Sequence, residues 1–464
     1  MNTMNKIRQG IQRQWLIACL SPAIMVGPLA VQALPLDNSQ ATGGAVIDET
    51  TTHGSAVDLI KRKIEVKKLA DNVFYATGVG NVMLISTEEG NVIFDTGLSI
   101  QAAAQRKALQ AAAPKRPTTH VILSHSHADH IGGTPLWVES GTKVIAHREF
   151  EEEQRYLREL EPYLYNRNRT LFPWMPKDPP MQQVHVKPSI VVDEGQNYTF
   201  TLGGVRFEVI SAPGAEGADN IVLWLPDQKM LLSGDFFGPQ FPQFPNIFTM
   251  RGEKIRKPIE YIRSLNKIIA LQPEVVMPSH FGPTKGKAEI LADLTRTRDA
   301  VQYVHDQTVA GMNAGKTVYQ LMEEVQLPPN LALAQNHGRV SWAVKSIWEY
   351  YTTWFHFDTT TELYPVPPSE VYAALGEAAG TATLVRKARD YLNAEKPVHA
   401  LHLMEVALAH DAASSSALQV QLEALNKLLN AAKAEFKNDY EIYWLNSRIR
   451  ATQALLLKSS KSSR

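Results

Sequence analysis

The sequence predicts a layered α/β unit followed by an all-α segment. Residues 73–98 (VFYATGVGNVMLISTEEGNVIFDTGL) alternate β-branched and aromatic residues with turn signals, which is typical of a meander of short strands. Residues 100–113 (IQAAAQRKALQAAA) are helical by composition, and residues 119–125 (THVILSH) are typical of a buried strand. Further strands are predicted in residues 189–214 and 220–235. This order of strands, helix, strands and further helices indicates α/β layers that extend to about residue 300.

The C-terminal third of the chain has a different pattern. Residues 290–356 predict helices, and residues 356–370 (HFDTTTELYPVPPSE) are a Pro- and Thr-rich linker. Beyond Pro368, apolar residues recur at three- and four-residue spacing, which predicts the core of a helix bundle in an assembly or docking module. These residues are Leu384, Ala388, Tyr391, Leu392, Leu418, Leu422, Leu425, Leu428 and Leu429. The predicted divisions are a signal peptide at 1–33, a flexible leader at 34–63, an α/β catalytic unit at 64–300, a helical extension at 301–358 and an all-α domain at 359–464.

The N-terminal segment predicts export. Basic residues at 6, 8 and 13 precede an apolar run over residues 15–31, and Val31-Gln32-Ala33 matches a small-x-small cleavage site. Proline and glycine interrupt this run, which falls short of the roughly 20 apolar residues of a membrane span. We therefore expect cleavage after Ala33, no membrane span in the mature chain, and a protein of the periplasm or the exterior.

Composition excludes several classes of function. The chain has 47 basic and 47 acidic residues, so it carries no net charge that would recruit nucleic acid. The only cysteine, Cys19, lies in the predicted signal peptide. The mature chain therefore offers no thiolate ligand, cysteine nucleophile or disulfide.

The stretch that decides the chemistry is residues 119–134 (THVILSHSHADHIGGT). It places four potential metal ligands in six positions directly after a predicted strand: His125, His127, Asp129 and His130. A loop with this spacing cannot wrap four ligands around one ion, but it can aim the first two ligands to one side and the last two to the other. The motif thus predicts half of each of two adjacent metal sites. Imidazole and carboxylate ligands without thiolate suit zinc, with manganese or iron as alternatives, and two such cations share and activate one hydroxide.

The run from His125 to Gly133 (HSHADHIGG) resembles the signature of the metallo-β-lactamase superfamily. Other marks of that superfamily occur in order: Asp95-Thr96-Gly97 after an early strand, Asp235 at the place of a metal-bridging carboxylate, and His280 after a later strand. The resemblance covers about residues 64–285. It implies an αββα sandwich with a dinuclear metal site along one edge.

One departure from that pattern is informative. Most members have a histidine after a Pro-Gly as the third protein ligand of the first metal, but residues 213–220 here are PGAEGADN. The Pro-Gly-x-Glu sequence resembles the alkylsulfatase branch of the superfamily, the type III sulfatases, in which glutamate fills this position. Asp219 is the competing candidate. By this match the first metal is held by His125, His127 and Glu216, the second by Asp129, His130 and His280, and Asp235 bridges the two.

Three further segments resemble the same branch. Residues 246–252 (NIFTMRG) resemble the segment whose arginine grips the sulfate, which assigns that role to Arg251; a guanidinium fork matches two oxygens of an oxyanion. Residues 301–331 resemble the helical segment that follows the metal domain. The ELYPVPPSE stretch at 362–370, with the helical tail behind it, resembles the dimerisation domain, so we expect a homodimer.

The chain also differs from the branch. We expect no sterol-carrier-like domain after Arg464, and Ser279-His280-Phe281-Gly282 stands where the branch has His-His-Trp-Pro. A Ser-His-Asn that brings a histidine near the sulfate corresponds to Ser341-Trp342-Ala343. Candidates to compensate for that histidine are His337, Arg339, Arg167 and Arg169.

Three hypotheses follow. The first is a secreted dinuclear zinc hydrolase that cleaves sulfate esters of alkyl or aryl alcohols with a metal-bridging hydroxide, which Asp129 helps to orient, while Arg251 neutralises the sulfate oxygens. The second keeps the metals but assigns a lactone, β-lactam or carboxyl ester as the substrate. The third is a non-catalytic metal-binding scaffold that assembles through its helical tail.

Overall fold

The computed structural model describes residues 60–462 apart from residues 62, 173–174, 176–183, 215 and 248. The predicted signal peptide and nearly all of the predicted leader lie outside the described residues. Among the helices of the described part, none is both long and apolar enough to cross a membrane.

The first of two sheets has seven strands in sequence order. Its first four strands form the predicted antiparallel meander, and the strands from the fourth to the seventh run parallel to one another. The strands are β1 (Val66–Ala70), β2 (Val73–Ala76), β3 (Val82–Thr87), β4 (Gly90–Phe94), β5 (Thr118–Ile122), β6 (Lys143–His147) and β7 (Ile190–Val192).

The second sheet has six strands in the order β13-β12-β11-β10-β9-β8. All its pairs are antiparallel except β11 with β12, which are parallel. The strands are β8 (Tyr198–Leu202), β9 (Val205–Ser211), β10 (Ile221–Leu225), β11 (Met230–Gly234), β12 (Val275–Pro278) and β13 (Thr284–Lys285).

The two sheets pack face to face, and helices cover their outer faces. Alternation along each strand divides its side chains between two cores: Val92 and Phe94 of β4 enter the core between the sheets, whereas Ile93 packs in the outer core that also contains Leu109. The second sheet divides in the same way, because Leu223 of β10 points inward and its neighbours contribute to a separate outer core. This arrangement is the expected αββα sandwich, and an all-α segment follows it.

The helices lie mostly between the parallel strands and after the second sheet. They are α1 (Ser99–Ala112), α2 (Ala128–Ile131), α3 (Thr134–Trp137), α4 (Phe150–Glu159), α5 (Glu161–Leu171), α6 (Pro258–Leu271), α7 (Lys287–Asn313), α8 (Val318–Glu324), α9 (Val340–Thr352), α10 (Tyr372–Ala379), α11 (Thr381–Asn393), α12 (Pro397–His410), α13 (Ser415–Ala434) and α14 (Asp439–Ser462). Short 3₁₀ turns occur at Pro226–Gln228, Pro329–Leu331, Thr360–Leu363 and Pro368–Val371.

Two differences from the sequence-based expectations concern helices. The pair α4 and α5 was not predicted, although the run between β6 and β7 is rich in Glu and Arg, which form helices readily. Helix α7 runs without a break through residue 300, so no end of a helix or strand marks the division predicted there. That division remains a prediction.

In the all-α segment most of the predicted apolar positions enter a bundle core, with Leu384, Ala388 and Leu392 in one cluster and Leu425 and Leu429 in another. Tyr391 is the exception, because it is half-exposed and packs beside a histidine ring instead of entering the core.

Strand ends create the site. Strands β4 and β5 are parallel neighbours in one sheet, and β11 and β12 are parallel neighbours in the other, so their carboxyl ends emerge at the same edge of the sandwich. A close approach fixes this edge: a Cβ on Gly234, whose φ is +57°, would lie 2.4 Å from the Cβ of Ser124. The backbone amide of Ser279 donates to the carbonyl of Gly234 at 3.1 Å, which ties the ends of β11 and β12 together.

Candidate dinuclear metal centre

The loop after β5 is held by a buried carboxylate at the end of β4. Asp95 is fully buried and has a φ of 55°, and its Oδ1 accepts the backbone amide of Ser124 at 2.8 Å. Its Oδ2 accepts the hydroxyl of Ser124 at 2.8 Å and that of Ser279 at 2.6 Å. Asp95 therefore joins the end of β5 to the end of β12. The short helix α2 starts directly after His127 and turns the chain, so the second half of the motif faces the centre from another side.

Three of the four histidines have one ring nitrogen hydrogen-bonded away from the centre, and the fourth has one beside a carboxylate. His125 Nδ1 donates to the Ser124 hydroxyl at 2.9 Å, and His130 Nδ1 donates to Asp95 Oδ2 at 2.8 Å. His280 Nδ1 donates to the carbonyl of Val79. For the fourth ring, His127 Nε2 lies 3.4 Å from Glu253 Oε2. Histidines that bind metals are oriented in this way, because the second nitrogen fixes the tautomer and the ring plane.

The remaining nitrogens converge in two groups. In the first, His125 Nε2 and His127 Nδ1 lie 2.8 Å apart, and Glu216 Oε1 is 4.0 Å from His127 Nδ1. In the second, the Oδ2 of Asp129 lies 3.6 Å from His130 Nε2 and 3.5 Å from His280 Nε2.

Asp235 lies between the two groups. Its Oδ2 is 3.4 Å from His130 Nε2 and 2.9 Å from His280 Nε2, and its carboxylate also forms a potential metal-binding group with His125 and His130. The structure thus brings all seven predicted ligands to one place, and the assignment of each to a particular metal remains a prediction.

The residues of this centre fit divalent cations. His130 Nε2 and Asp235 Oδ1 are buried and have no hydrogen-bond partner among the described residues, which would cost about 1–3 kcal/mol for each atom if nothing were bound there. Burial and the neighbouring His130 and His127 hold the pKa of His125 well below its usual value, so its ring stays neutral. Burial alone would raise the pKa of Asp235, but His280 and His130 overcome it and hold that pKa well below the usual range. Neutral imidazoles and ionised carboxylates are the forms that bind a metal. Burial lowers the pKa values of His127, His130 and His280, but the neighbouring carboxylates overcome it and raise them, so a cation that binds these rings would displace their protons.

Beside the first ligand group lies a cluster of two arginines and two glutamates. Arg251 Nη2 is 3.2 Å from Glu216 Oε1 and 2.9 Å from Glu253 Oε1. Arg256 binds the other oxygen of each carboxylate, with Nη1 2.7 Å from Glu216 Oε2 and Nη2 2.7 Å from Glu253 Oε2. The side chain of Arg251 is 21% exposed and that of Arg256 only 2%. Arg251 is therefore the arginine of this cluster that a ligand can reach. We call the space bordered by the metal ligands and this cluster the cleft.

Asp219, the alternative to Glu216 as a ligand of the first metal, has a different position. Its Oδ2 accepts the backbone amide of Ser126 at 2.8 Å, and burial raises its pKa to about 7. It anchors the motif loop from behind, so the geometry favours Glu216 as the third ligand of the first metal.

The C-terminal segment contributes a residue to the cleft. Tyr440, in the first turn of α14, is almost fully buried, and the guanidinium carbon of Arg251 lies 5.9 Å from the centroid of its ring. The ring of His337 packs 5.0 Å from the same tyrosine, and its Nε2 is buried with no hydrogen-bond partner in the part of the chain that the structure describes. Burial, with Arg251 and Arg256 nearby, holds the pKa of His337 well below its usual value, so this ring is neutral.

Two of the other candidates for sulfate recognition, Arg167 and Arg339, bind other groups of the protein. Arg167 on α5 donates to the carbonyl of Met250 at 3.2 Å, and Arg169 lies in the last turn of the same helix. Arg339 pairs with Glu441 and lies over the ring of Trp342, with 6.0 Å from the guanidinium carbon to the ring centroid.

Sequence reasoning missed three residues of this cleft: Glu253, Arg256 and Tyr440. The first two were within reach, because the run RGEKIR at 251–256 places several charges directly after the predicted sulfate-binding arginine. Tyr440 carries no local signal, since its partner Arg251 lies far away along the chain.

Comparison with known proteins identifies both parts of the chain. The sequence profile of the metallo-β-lactamase superfamily matches residues 75–280, and the profile of the alkyl sulfatase dimerisation domain matches residues 317–446. The chain thus combines a metallo-β-lactamase-type domain with an alkyl sulfatase dimerisation-type domain, and it is similar to alkylsulfatases. It is similar to a linear primary-alkylsulfatase from Pseudomonas sp., with 33% identity over 313 residues, 62% of this chain and 58% of that protein.

Two further similarities agree with this family. An alkyl/aryl-sulfatase from Saccharomyces cerevisiae is 25% identical over 71% of this chain and 55% of its own length. The solved structure of a stereoselective inverting sec-alkylsulfatase from Pseudomonas sp. superposes with a TM-score of 0.72 at 21% identity, over 85% of this chain and 66% of that one. The structural likeness supports the fold. Because this chain spans less than two thirds of the length of these relatives, its own activity, substrates and partners are proposed below.

Proposed function

We propose that this protein hydrolyses sulfate esters of alkyl or aryl alcohols at a centre of two zinc ions. The observation that carries the proposal is the partly exposed guanidinium of Arg251, held 3.2 Å from the Glu216 carboxylate at the edge of the metal centre. A guanidinium fork in this position suits a sulfate group, whose oxygens it can bind in pairs. Zinc is preferred to manganese or iron because four imidazoles contribute to the ligand set.

The protein residues have distinct tasks in this proposal. When bound, the two cations activate a water molecule as the nucleophile and neutralise developing negative charge. His125, His127 and Glu216 would hold the first cation, and Asp129, His130 and His280 the second, with Asp235 available to both. Asp129 is the most exposed of these ligands, with 22% of its side chain accessible, so its carboxylate is the one that faces the cleft and can orient the attacking water.

Charge balance favours an anionic substrate. Two arginines and two glutamates neutralise each other in the cluster beside the first metal group. Once Glu216 binds a cation, the two guanidinium groups share only Glu253. The pocket then carries a net positive charge that a sulfate monoester, with its single negative charge, neutralises.

The test is a comparison of turnover on one zinc-loaded preparation. We expect sulfate release from a panel of alkyl and aryl sulfates, and much slower turnover of lactones and cephalosporins. The variant Arg251→Gln should lose sulfate ester turnover, whereas Arg263→Gln, which changes an exposed arginine on α6, should retain it. A clear preference for lactones would contradict the proposal and support the second hypothesis. A folded protein that binds zinc but turns over none of these esters would support the scaffold hypothesis.

We also propose a homodimer formed through the C-terminal part. Supporting this, large apolar side chains lie exposed between α9 and α10, inside the region matched by the dimerisation profile: Trp354 (67%), Phe357 (86%) and Tyr364 (62%). Isolated monomers rarely expose such a concentration of aromatic surface. Light scattering after size-exclusion chromatography should show a dimer, and Phe357→Asp with Tyr364→Asp should yield a monomer. The control Ile100→Asp, at an exposed position of α1, should remain dimeric.

Export to the periplasm or the exterior remains a proposal based on the N-terminal sequence. It predicts a mature chain that begins at Leu34. Mass spectrometry of protein from the extracytoplasmic fraction should give this N-terminus, and a cytoplasmic chain that retains residues 1–33 would contradict export.

A further inference from the structure

Glu253 lies between the metal centre and the proposed sulfate pocket. Its Oε2 is 3.4 Å from His127 Nε2, and its Oε1 is 2.9 Å from Arg251 Nη2. The side chain is only 10% exposed, and a third contact, 2.7 Å to Arg256 Nη2, completes its environment. One buried carboxylate thus contacts a predicted metal ligand and both arginines of the cleft.

On the metal side, Glu253 completes a pattern that the other histidines follow. Ser124, Asp95 and the Val79 carbonyl hold the remote ring nitrogens of His125, His130 and His280. His127 has Glu253 for the same purpose. A carboxylate that receives the Nε2 proton leaves the lone pair on Nδ1, the atom that lies 2.8 Å from His125 Nε2.

On the sulfate side, Glu253 fixes the plane of a guanidinium. Arg251 has two carboxylate partners, Glu216 and Glu253, and in the proposed function Glu216 binds the first metal. Glu253 is then the carboxylate left to hold Arg251 in place. Arg256 supports it from the buried side and contacts the same two glutamates.

The surrounding loop is built to hold this carboxylate. Gly252 has a φ of +87°, which allows the chain to turn directly after Arg251. Lys254 then pairs with Glu152 at 3.1 Å and Glu153 at 3.0 Å on α4, which fixes the loop on the far side of Glu253.

We propose that Glu253 is a positioning residue that couples the first metal position to the sulfate pocket: one carboxylate oxygen orients His127 and the other orients Arg251. The inference rests on the proposed function for its sulfate half only. Because one carboxylate serves both groups, its loss weakens metal binding and anion binding together. An ion pair that merely stabilises the loop would change neither.

The experiment uses the full-length mature chain and its variants Glu253→Gln and Glu253→Asp. Glutamine keeps the shape, but it has one acceptor oxygen, and its NH₂ group is a donor. It therefore cannot accept hydrogen bonds from both His127 and Arg251. Aspartate keeps the charge. The matched control is Glu260→Gln, which removes a carboxylate that pairs with Lys257 on the surface of α6.

Two properties are measured for the wild type and for each variant. The first is the zinc affinity of the weaker-binding site, measured by competition with a chelator in the absence of substrate. The second is the inhibition constant of inorganic sulfate, together with separate KM and kcat values for an alkyl sulfate. Thermal unfolding and circular dichroism identify a variant that fails to fold, and the remaining variant then carries the test.

We expect Glu253→Gln to weaken zinc binding by about 10- to 100-fold, the effect of losing the group that orients a metal-binding histidine. We also expect it to raise the KM for the alkyl sulfate and the inhibition constant of sulfate. The variant Glu253→Asp should keep part of the zinc affinity and of the sulfate affinity, and the control Glu260→Gln should change neither. In an Arg251→Gln background the additional effect of Glu253→Gln on KM should disappear, because Glu253 acts through Arg251.

Unchanged zinc affinity in a folded Glu253→Gln protein would overturn the inference, as would weaker zinc binding with no change in sulfate affinity. If the wild-type protein turns over no sulfate ester and binds no sulfate, the proposed function fails. The zinc readout then still decides whether Glu253 orients His127.

Discussion

Two buried carboxylates organise the two halves of the cleft, and they do so in different ways. Asp95 lies at the end of a central strand and receives hydrogen bonds from Ser124, His130 and Ser279, residues that follow strands in both sheets. Glu253 lies on a loop and contacts His127, Arg251 and Arg256. Asp95 therefore belongs to the sandwich itself, whereas Glu253 depends on a loop that other elements hold in place.

The difference separates what the fold guarantees from what this chain adds to it. Any chain with these strand ends brings the metal ligands of the sandwich to one edge. The anion side needs more: the 251–256 loop, the support of α4 through Lys254, and Tyr440 from the first turn of α14. In the proposed function, metal binding is thus a property of the sandwich, and substrate choice is a property of the loops and of the C-terminal segment.

The largest expected effect is on the metal half. His130→Ala removes a ligand that is fully buried and whose Nε2 has no other partner. We expect sulfate ester turnover to fall by about 10³-fold or more and zinc content to drop below that of the wild type. Metal analysis and turnover on the same sample check this. Full zinc content with full activity would remove His130 from the centre.

The next prediction separates anion binding from metal binding. Arg251→Lys keeps a positive charge but loses the planar fork, so we expect kcat/KM for an alkyl sulfate to fall by about 10²- to 10³-fold while zinc content stays at the wild-type value. Steady-state kinetics and metal analysis measure the two quantities. Equal activity of lysine and arginine at this position would show that charge alone suffices and that the paired contacts are not used.

A smaller effect is expected from Asp95→Asn. The amide group would face hydroxyl and imidazole donors, and a buried donor without an acceptor costs about 1–3 kcal/mol in the free energy of unfolding. We expect zinc affinity to fall by about 10- to 100-fold and excess zinc to restore most of the activity. Activity that stays low at saturating zinc would instead assign Asp95 a role in the reaction.

The smallest effect concerns Tyr440. The ring lies beside the Arg251 guanidinium, a contact worth about 0.5–2 kcal/mol, so Tyr440→Leu should raise the KM for an alkyl sulfate by about 2- to 30-fold. Tyr440→Phe keeps the ring and should stay close to the wild type. If phenylalanine were as damaging as leucine, the hydroxyl group would be the functional part of this residue.

Much of the fold could be predicted from sequence because its signals are local. The alternation in residues 73–98 divides side chains between two cores, as Val92 and Ile93 illustrate. The crowded motif at 125–130 predicted metal ligands because residues so close together in sequence must share one loop. The helix α4 was missed because two of the three residues that it buries, Glu153 and Gln154, are polar, so no run of apolar residues marks its inner face.

The anion half was less predictable for a physical reason. Its ion pairs join residues from distant parts of the chain, such as Glu216 with Arg256, and no local pattern states which charge meets which. The resemblance to the alkylsulfatases assigned Arg251, and the charged run at 251–256 draws attention to Glu253 and Arg256, but the partners of these two residues and the place of Tyr440 emerge only from the folded structure.

The most direct test of the central proposal is a crystal structure of the zinc-loaded protein with sulfate bound. The proposal predicts two zinc ions in the centre, Glu216 as a ligand of one of them, and a guanidinium nitrogen of Arg251 within about 3 Å of a sulfate oxygen. Sulfate bound away from Arg251, or a first zinc held by Asp219 in place of Glu216, would contradict it.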